Sequence, residues 1–329
     1  MSVRWACCLG FATLRTVAVA KALLLLSLAA VTLTAHAYQA QQTSPEPIRF
    51  IDDAGQALQM QTPARRIVSL SPHITEILFF VGAGQQVVGV AQASDFPVDA
   101  TRLPVVATHN DVNLEALVRL KPDAVIAWGR GAANPKLEKL KAMGVRVIYS
   151  DPQTPAGIAE NMQWMAQLAG TESLAAAAID SWRARLAVIE SQHAVAGGVA
   201  GNDAARPDDP LVFYQVWDRP LMTVNRQHLI SQAVRLCGGR TLFAEQTVQT
   251  PTVSIESVIR GNPDIIMYTD DRKRSLDWGK QWSQWRNVKA VRSSHVFALP
   301  PDLLVRAGPR YLDGVERVCD VIQRVKGAR

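Results

Sequence analysis

A fifteen-residue pattern that occurs twice constrains the fold of this chain more than any other feature. Residues 112–126 and 253–267 match without a gap at an offset of 141, and share valine, glutamate, arginine, proline and aspartate at equivalent places. Each copy has the apolar spacing of a short helix, then Pro-Asp, then an apolar run typical of a buried strand. One copy in each half indicates two similar lobes. Chance similarity between two helix–proline–strand units is the alternative.

A second internal similarity supports the division into two lobes. A helix signal from Ile74 ends at Gly82, and a similar one from Ile230 ends at Gly238. Strand and helix signals alternate in both halves, which favours parallel sheets covered by helices on both faces. Ser71 is expected to cap the first helix, with Pro72 as its first residue. The other expected elements of the first half are a hairpin at 48–60, strands at 67–70, 87–90, 124–128 and 145–149, and helices at 114–120 and 135–143.

A long stretch without glycine or proline separates the two halves. Residues 171–192 are rich in alanine, and as a helix they would be about 33 Å long. We therefore expect an α/β fold of two similar lobes with mainly parallel sheets, joined by one long α-helix. The expected boundaries are 38–168 for the N-terminal lobe, 169–196 for the connecting helix and 197–329 for the C-terminal lobe. A cleft between two lobes is where a small ligand usually binds.

The N-terminus has the pattern of a signal peptide. Arg4, Arg15 and Lys21 precede the apolar run Ala22 to Thr34, and Ala35-His36-Ala37 fits a cleavage site. A membrane anchor is the alternative, but the run is about 13 residues long, whereas a spanning helix needs about 20. We expect export, with cleavage after Ala37, and an otherwise soluble chain in an oxidising compartment.

The cysteines beyond the expected cleavage site are Cys237 and Cys319. Two cysteines in an exported protein favour one disulfide. It would close a loop of about 80 residues, which the chain-entropy model values at about 4 kcal/mol. Two buried free thiols are the alternative.

Several classes of function are disfavoured. Without residues 1–37 the net charge is only +3, which is too small to indicate nucleic-acid binding. The five histidines beyond that point form no zinc-binding motif. The sequence also has no nucleophile elbow and no phosphate loop. We therefore expect no metal site, no cofactor, no catalytic residues and no enzymatic activity.

Motifs along almost the whole chain carry a family resemblance. Those of the first half are Arg66-Ile-Val-Ser-Leu-Ser-Pro72, Val88-Gly-Val90, Ser94-Asp-Phe-Pro97, and Asn113-Leu-Glu115 running to Lys121-Pro-Asp123. Those of the second half are Leu236-Cys-Gly-Gly239, Val253-Ser-Ile-Glu256 and Arg306-Ala-Gly-Pro-Arg310. In order and spacing they resemble the periplasmic substrate-binding proteins with a single long hinge helix, which serve ABC importers of cobalamin, ferric siderophores and haem.

The resemblance implies a ligand and a partner. The chain is most similar to the members of this family that bind cobalamin. It would then be a periplasmic, monomeric receptor that captures cobalamin or a related corrinoid between its lobes. It would deliver that ligand to the permease of an ABC importer at the inner membrane. A receptor for haem or a ferric siderophore is the alternative.

The resemblance also assigns residues to the ligand site. Trp128, followed by Arg130, matches a tryptophan that lies on the corrin ring, and Asp302 and Arg306 match a pair that contacts the ligand from the second lobe. An indole face suits a flat ring, and an Asp/Arg pair offers both acceptors and donors to its polar rim. A core tryptophan and a surface ion pair are the structural alternatives.

Three positions depart from the cobalamin-binding pattern. Ala93, His109 and Thr250 stand where those proteins have aromatic residues. We expect Trp217 to replace part of the missing aromatic surface. His109 is a further candidate ligand-binding residue, because imidazole ligates cobalt and iron. A solvent-exposed or hydrogen-bonded histidine is the alternative.

Two glutamates are the expected docking residues. Glu115 and Glu256 occupy equivalent places in the two copies of the repeat, and the resemblance implies that each meets arginines of the permease. Interaction with the helix dipole is the simpler explanation for an acidic residue in a first turn, and both explanations can hold together.

Overall fold

The computed structural model describes residues 46–108, 111–131, 134–193, 206, 208–269 and 278–328. The expected signal peptide, residues 1–37, lies outside these ranges, as does His109. Every helix within the described ranges is too short or too polar to cross a lipid bilayer.

The first described elements form the predicted hairpin. Strand β1 (Ile48–Ile51) pairs antiparallel with β2 (Ala57–Met60). Five parallel strands then build the sheet of the N-terminal lobe: β3 (Ile67–Ser69), β4 (Val87–Ala91), β5 (Val105–Ala107), β6 (Ala124–Trp128) and β7 (Arg146–Ser150). Their order in the sheet is β5-β4-β3-β6-β7. The central strand β3 is buried on both faces, as expected for a parallel sheet covered by helices.

Four α-helices are described in this lobe: α1 (Pro72–Phe80), α2 (Leu114–Arg119), α3 (Pro135–Ala142) and α4 (Pro155–Ala169). Helix α1 begins at Pro72, as the sequence predicts. Ser71 occupies the capping position, but the prediction that its side chain caps the helix is wrong. The Ser71 hydroxyl lies 2.8 Å from Nδ1 of His73 instead, because that buried imidazole also needs a hydrogen-bond partner.

The long helix is α5 (Glu172–His193), each end within one residue of the stretch 171–192 that predicts it. It packs beside α4. It also contacts the C-terminal lobe, because the Trp182 indole donates to the carbonyl of Pro309 at 2.8 Å. Arg185 donates to both Glu316 and Asp313 at 2.7 Å. Buried apolar residues and side-chain hydrogen bonds therefore hold this helix against the lobes along its length.

The C-terminal lobe has a second, four-stranded sheet. Its strands are β8 (Leu211–Gln215), β9 (Arg240–Thr241), β10 (Ile265–Thr269) and β11 (Val296–Leu299). All pairings are parallel, in the order β11-β10-β8-β9. The helices are α6 (Leu229–Leu236), α7 (Ile255–Gly261), α8 (Trp278–Trp282), α9 (Lys289–Arg292), α10 (Pro301–Leu304) and α11 (Tyr311–Gly327). The predicted α/β fold of two lobes with parallel sheets is confirmed.

The sequence repeat is also a structural repeat. Helices α2 and α7 begin at equivalent positions, and each has a side-chain cap. Asn113 accepts from the backbone N–H of Ala116 at 3.0 Å, and Ser254 accepts from that of Ser257 at 3.2 Å. In both copies of the repeat, the helix therefore begins at a residue whose side chain caps it.

The Pro-Asp pair after each helix has the same role in both lobes. The Asp123 carboxylate accepts from the backbone N–H of Arg66 at 2.9 Å, and the Asp264 carboxylate accepts from that of Leu211 at 2.8 Å. Arg66 precedes β3 and Leu211 begins β8, which are inner strands of their sheets. Each aspartate thus fixes the start of a neighbouring strand, which explains why both copies retain it.

The predicted disulfide is present. Cys237, just after α6, and Cys319, in α11, are bonded with a Cα–Cα distance of 4.6 Å across 82 residues of sequence. Both cysteines are buried. The bond joins the end of α6 to α11, and these two helices pack against each other.

Candidate functional site

The candidate ligand residues follow the carboxyl ends of the parallel strands. Trp128 ends β6 in the N-terminal lobe. In the C-terminal lobe, Trp217 follows β8, and Asp302 and Arg306 follow β11. In open α/β sheets, ligands bind outside these ends because the connecting loops leave a crevice there. The fold therefore puts these residues, from distant parts of the chain, at the carboxyl edges of the two sheets.

Arg306 of the C-terminal lobe forms hydrogen bonds to the N-terminal lobe. Its Nη1 donates to Glu76 at 2.9 Å and to Asp95 at 2.8 Å, and its Nη2 donates to the carbonyl of Ala93 at 3.2 Å. These three partners belong to the N-terminal lobe. Nη2 also lies 2.8 Å from Asp302, four residues earlier in the same lobe. The predicted Asp302–Arg306 pair is thus part of a larger ionic cluster between the lobes.

Arg310 extends this cluster. Its Nε donates to Glu76 Oε2 at 3.0 Å and its Nη2 donates to Oε1 at 2.6 Å. The guanidinium also lies 3.9 Å from the ring centroid of Phe96, within cation–π range. The Glu76 side chain is only 1% exposed, so its charge depends on these two arginines for compensation.

A second contact joins the lobes at another point. Gln153, which follows β7, accepts at its carbonyl from Gln232 at 2.6 Å and at its side-chain oxygen from Gln249 at 2.6 Å. Both partners belong to the C-terminal lobe. The loops at the carboxyl ends of the two sheets therefore face each other and define an inter-lobe cleft.

Trp128 is the most exposed large aromatic residue among those described. Its side chain is 65% exposed, although a tryptophan normally buries most of its surface. The indole Nε1 donates to Asp151 Oδ1 at 3.1 Å, and Arg130 Nε lies 3.7 Å from the other oxygen of the same carboxylate. The indole is thus anchored at its polar edge while its apolar surface remains available to a flat ligand.

Asp151 is itself held by the hairpin. Its backbone N–H donates to Asp53 Oδ2 at 2.5 Å, and the Asn161 amide donates to the same carboxylate at 3.0 Å. Burial is the largest influence on Asp53 and raises its pKa above the usual value. The hairpin therefore supports the loop on which the Trp128 indole depends.

A buried hydrogen-bond chain continues toward the cleft. The Ser150 hydroxyl donates its one hydrogen to Asn161 Oδ1 at 2.6 Å. In its other hydrogen bond, at 3.2 Å, the Ser150 oxygen therefore accepts from His73 Nε2. With Nε2 protonated, His73 Nδ1 accepts from Ser71. A neutral imidazole satisfies both contacts. Burial is the main reason why the pKa of His73 is lowered to about 4, and the nearby positive charge of Arg306 acts in the same direction.

Trp217 lies beyond the end of β8. Its side chain is 39% exposed, and its Nε1 donates to the carbonyl of Arg219 at 3.1 Å. The backbone of Trp217 forms an antiparallel bridge with Met222. This tight loop holds a second exposed indole at the edge of the C-terminal lobe.

Glu76, Asp95 and Asp151 were not predicted from the sequence as site residues. The first two contact Arg306 across more than 200 residues of sequence, and no local pattern identifies such a pairing. Asp95 lies within the Ser94-Asp-Phe-Pro97 motif, which was the one available signal.

Glu115 and Glu256 are the second residues of α2 and α7, and both are exposed. Backbone hydrogen bonding at the helix start is the largest influence on Glu256 and, together with Ser254, lowers its pKa. The structure therefore gives the two glutamates matching positions on the repeated units.

No cluster of three or more potential metal-ligating side chains occurs within the described ranges. A cavity of about 460 Å³ lies beside the ionic cluster, between α1, α5 and the start of α11. Neither Trp128 nor Trp217 lines it. This cavity is therefore distinct from the cleft edges that carry the exposed indoles.

The fold and the cleft agree with a family assignment from sequence. Residues 67–303 match the model of the periplasmic binding protein family. This match covers well over half of the chain, and the chain belongs to that family.

Individual relatives support the assignment. The chain is 35% identical over 262 residues to the vitamin B12-binding protein of Vibrio cholerae serotype O1, covering 79% of this chain and 90% of that one. The crystal structure of the periplasmic vitamin B12-binding protein BtuF of Vibrio cholerae is similar at a TM-score of 0.70 and 33% identity, covering 80% of this chain and 98% of that one. The periplasmic haem-binding protein RhuT from Roseiflexus sp. RS-1 has a TM-score of 0.68 at 20% identity, covering 80% and 99%. At that identity it shares the fold alone.

Proposed function

We propose that this chain is the periplasmic receptor of an ABC importer and captures cobalamin or a related corrinoid in its inter-lobe cleft. In this proposal the chain is exported, its signal peptide is cleaved after Ala37, and the mature receptor acts as a monomer. It performs no chemistry on its ligand. Relatives described as vitamin B12-binding proteins support the choice of ligand class.

The observation that carries the proposal is the exposed Trp128 indole at the edge of the cleft. Its side chain is 65% exposed while Asp151 fixes its polar edge. Covering an aromatic residue of this size with a flat, partly apolar ring removes a large apolar area from water, which favours binding. Trp217 is proposed to cover the ring from the other lobe.

Polar groups of the cleft are proposed to contact the rim of the ring. Asp302 offers carboxylate oxygens, and Arg130 and Arg306 offer N–H donors. His109 stays a candidate ligand-binding residue outside the described ranges. The proposed domain division is 38–168, 169–196 and 197–329, with the ligand between the first and last segments.

Docking on the permease is proposed to use Glu115 and Glu256. A receptor with two similar lobes can present one carboxylate from each to arginines on a two-fold partner. Side-chain packing and hydrogen bonds hold α5 against the lobes, so we expect only a small closure on binding. The permease then opens the cleft, and another subunit of the importer hydrolyses ATP.

A calorimetric titration of residues 38–329 tests the proposal. Cyanocobalamin, cobinamide, haemin and a ferric hydroxamate are titrated in parallel. The proposal predicts one-to-one binding of a corrinoid. Binding of haemin or the hydroxamate without any corrinoid would overturn the ligand assignment and leave the receptor class intact. The absence of binding by all of them would contradict the proposal as a whole.

A further inference from the structure

The cavity of about 460 Å³ beside the ionic cluster is separate from the proposed corrinoid site. None of the proposed corrinoid contacts among the described residues lines it. Its volume is within the range of small-molecule sites. It lies where three parts of the molecule meet, which are α1 with the loop at Phe96, the long helix α5 and the segment that begins α11. A ligand in this cavity would therefore touch both lobes and the helix between them.

Four aromatic side chains line the cavity, which are Phe79, Phe80, Phe96 and Trp182. Phe96 is 44% exposed, and Phe79 and Phe80 are only half-buried, so covering these rings with an apolar molecule is favourable. The Trp182 indole N–H already donates to the carbonyl of Pro309 at 2.8 Å, and its ring can therefore offer the cavity only apolar surface. This part of the lining suits the flat, apolar body of a small molecule.

Arg310 also lines the cavity and has N–H groups that no described residue uses. Its Nε donates to Glu76 Oε2 at 3.0 Å and its Nη2 donates to Oε1 at 2.6 Å. A guanidinium has five N–H groups, so both on Nη1 and the second on Nη2 are left. Nη1 and Nη2 therefore still offer one parallel pair of N–H groups. Such a pair binds a carboxylate through two charge-assisted hydrogen bonds.

The two described acids of the lining, Glu76 and Asp313, are already paired with arginines. Glu76 accepts from Arg306 as well as from Arg310, and Asp313 accepts from Arg185 at 2.7 Å. A ligand carboxylate thus meets acids whose charges are compensated, together with an arginine whose second donor pair is open. A ligand ammonium group would have to compete with an arginine for either acid.

We propose that this cavity is a second binding site, for a small molecule with a flat apolar body and one carboxylate. The carboxylate binds the open pair of N–H groups on Arg310. The apolar body packs against the phenylalanine rings and against Trp182. This site goes beyond the proposed function, because it uses none of the residues assigned to the corrinoid.

The test uses 2-naphthoate as the probe and 2-naphthamide as its uncharged analogue. Both are titrated by calorimetry into residues 38–329 without a corrinoid, and into four variants. Ser181→Trp fills the cavity from α5, because Ser181 is exposed and lines it. Ser191→Trp is the matched control, since Ser191 is an exposed serine of the same helix outside the lining. Arg310→Lys keeps the charge without the donor pair, and Trp128→Ala reports binding in the cleft. Circular dichroism checks that each variant is folded.

We expect one-to-one binding of 2-naphthoate, about tenfold tighter than that of 2-naphthamide, because only the acid forms charge-assisted hydrogen bonds with Arg310. Ser181→Trp should abolish the binding of both probes, and Arg310→Lys should reduce the preference for the acid severalfold. Ser191→Trp and Trp128→Ala should change neither quantity. If Arg310→Lys does not fold, Ser181→Trp still decides the location of the site, since it removes none of the described ionic contacts.

Three results would overturn the inference. They are no binding of 2-naphthoate to the unmodified chain, equal binding of the two probes, and binding that survives in Ser181→Trp. Loss of binding in Trp128→Ala would also overturn it, because the probe would then occupy the cleft. The proposed function stands in each case, since the corrinoid titration tests it separately.

Discussion

The indole N–H of Trp128 donates to Asp151 at 3.1 Å, and Asp151 in turn depends on a hairpin almost 100 residues earlier in the chain. One hydrogen bond therefore links the most exposed large aromatic residue of the described chain to a buried polar network. Ligand binding by Trp128 should be sensitive to residues that never contact the ligand.

Asp151→Ala should weaken corrinoid binding by up to about tenfold, because a hydrogen bond contributes about 0.5–1.5 kcal/mol. Calorimetry measures the change. Asp180→Ala, an exposed aspartate of α5 that pairs with Arg183, is the control and should bind as the unmodified chain does. An unchanged affinity in Asp151→Ala would show that ligand binding does not depend on the hydrogen bond between Trp128 and Asp151.

Asn161→Ala should destabilise the protein by about 2–4 kcal/mol. The variant leaves the Ser150 hydroxyl and the Asp53 carboxylate without their amide partner, and a buried polar group without a partner costs about 1–3 kcal/mol. Urea denaturation gives the free energy of unfolding. Gln163→Ala removes an exposed amide from the same helix and should change that free energy by less than about 0.5 kcal/mol. A similar loss in both variants would exclude a special role for the buried network.

Stability should fall as the pH is lowered from about 6.5 to about 4, partly because of His73. Burial lowers the pKa of this imidazole to about 4 in the folded chain, whereas the unfolded value is about 6.5. Between these values the unfolded state binds the proton and the folded state does not, so acid favours unfolding by up to about 3 kcal/mol. In His73→Gln this part of the pH dependence should be missing when urea midpoints are compared from pH 4 to 8. Parallel curves for the two proteins would refute the assignment.

Glu115→Lys and Glu256→Lys should each reduce ligand uptake in cells and leave the affinity for the ligand unchanged. Both residues are exposed at the starts of the repeated helices, and neither is among the proposed ligand contacts. Glu138→Lys, at an exposed glutamate of α3, is the control for a change of surface charge. A parallel loss of uptake and affinity in the Glu115 or Glu256 variant would contradict a docking role.

Much of the fold was predictable because it depends on local signals. The repeated Pro-Asp segment identified β6 and β10 from sequence, since a proline that follows a helical pattern prevents the helix from continuing. Strand β9 was not predicted because it has only two residues, too few for any apolar periodicity. Its position depends on pairing with β8, which is a tertiary contact.

The site was predictable only where a motif marked it. Trp128, Asp302 and Arg306 were identified by resemblance, but their surroundings were not. Arg306 bonds to Glu76, which lies 230 residues away in sequence. Such pairings arise from the approach of two lobes, and neither periodicity nor composition encodes which carboxylate meets which arginine.

Titration of Trp128→Ala with cyanocobalamin tests the central claim most directly. Leu174→Ala is the matched control, because it also removes an exposed apolar side chain, but from α5 and outside the proposed site. We predict that the Trp128 variant loses about 2 kcal/mol or more of binding free energy, as expected for a central aromatic contact, while the control binds normally. Tight corrinoid binding that survives Trp128→Ala unchanged would contradict the account.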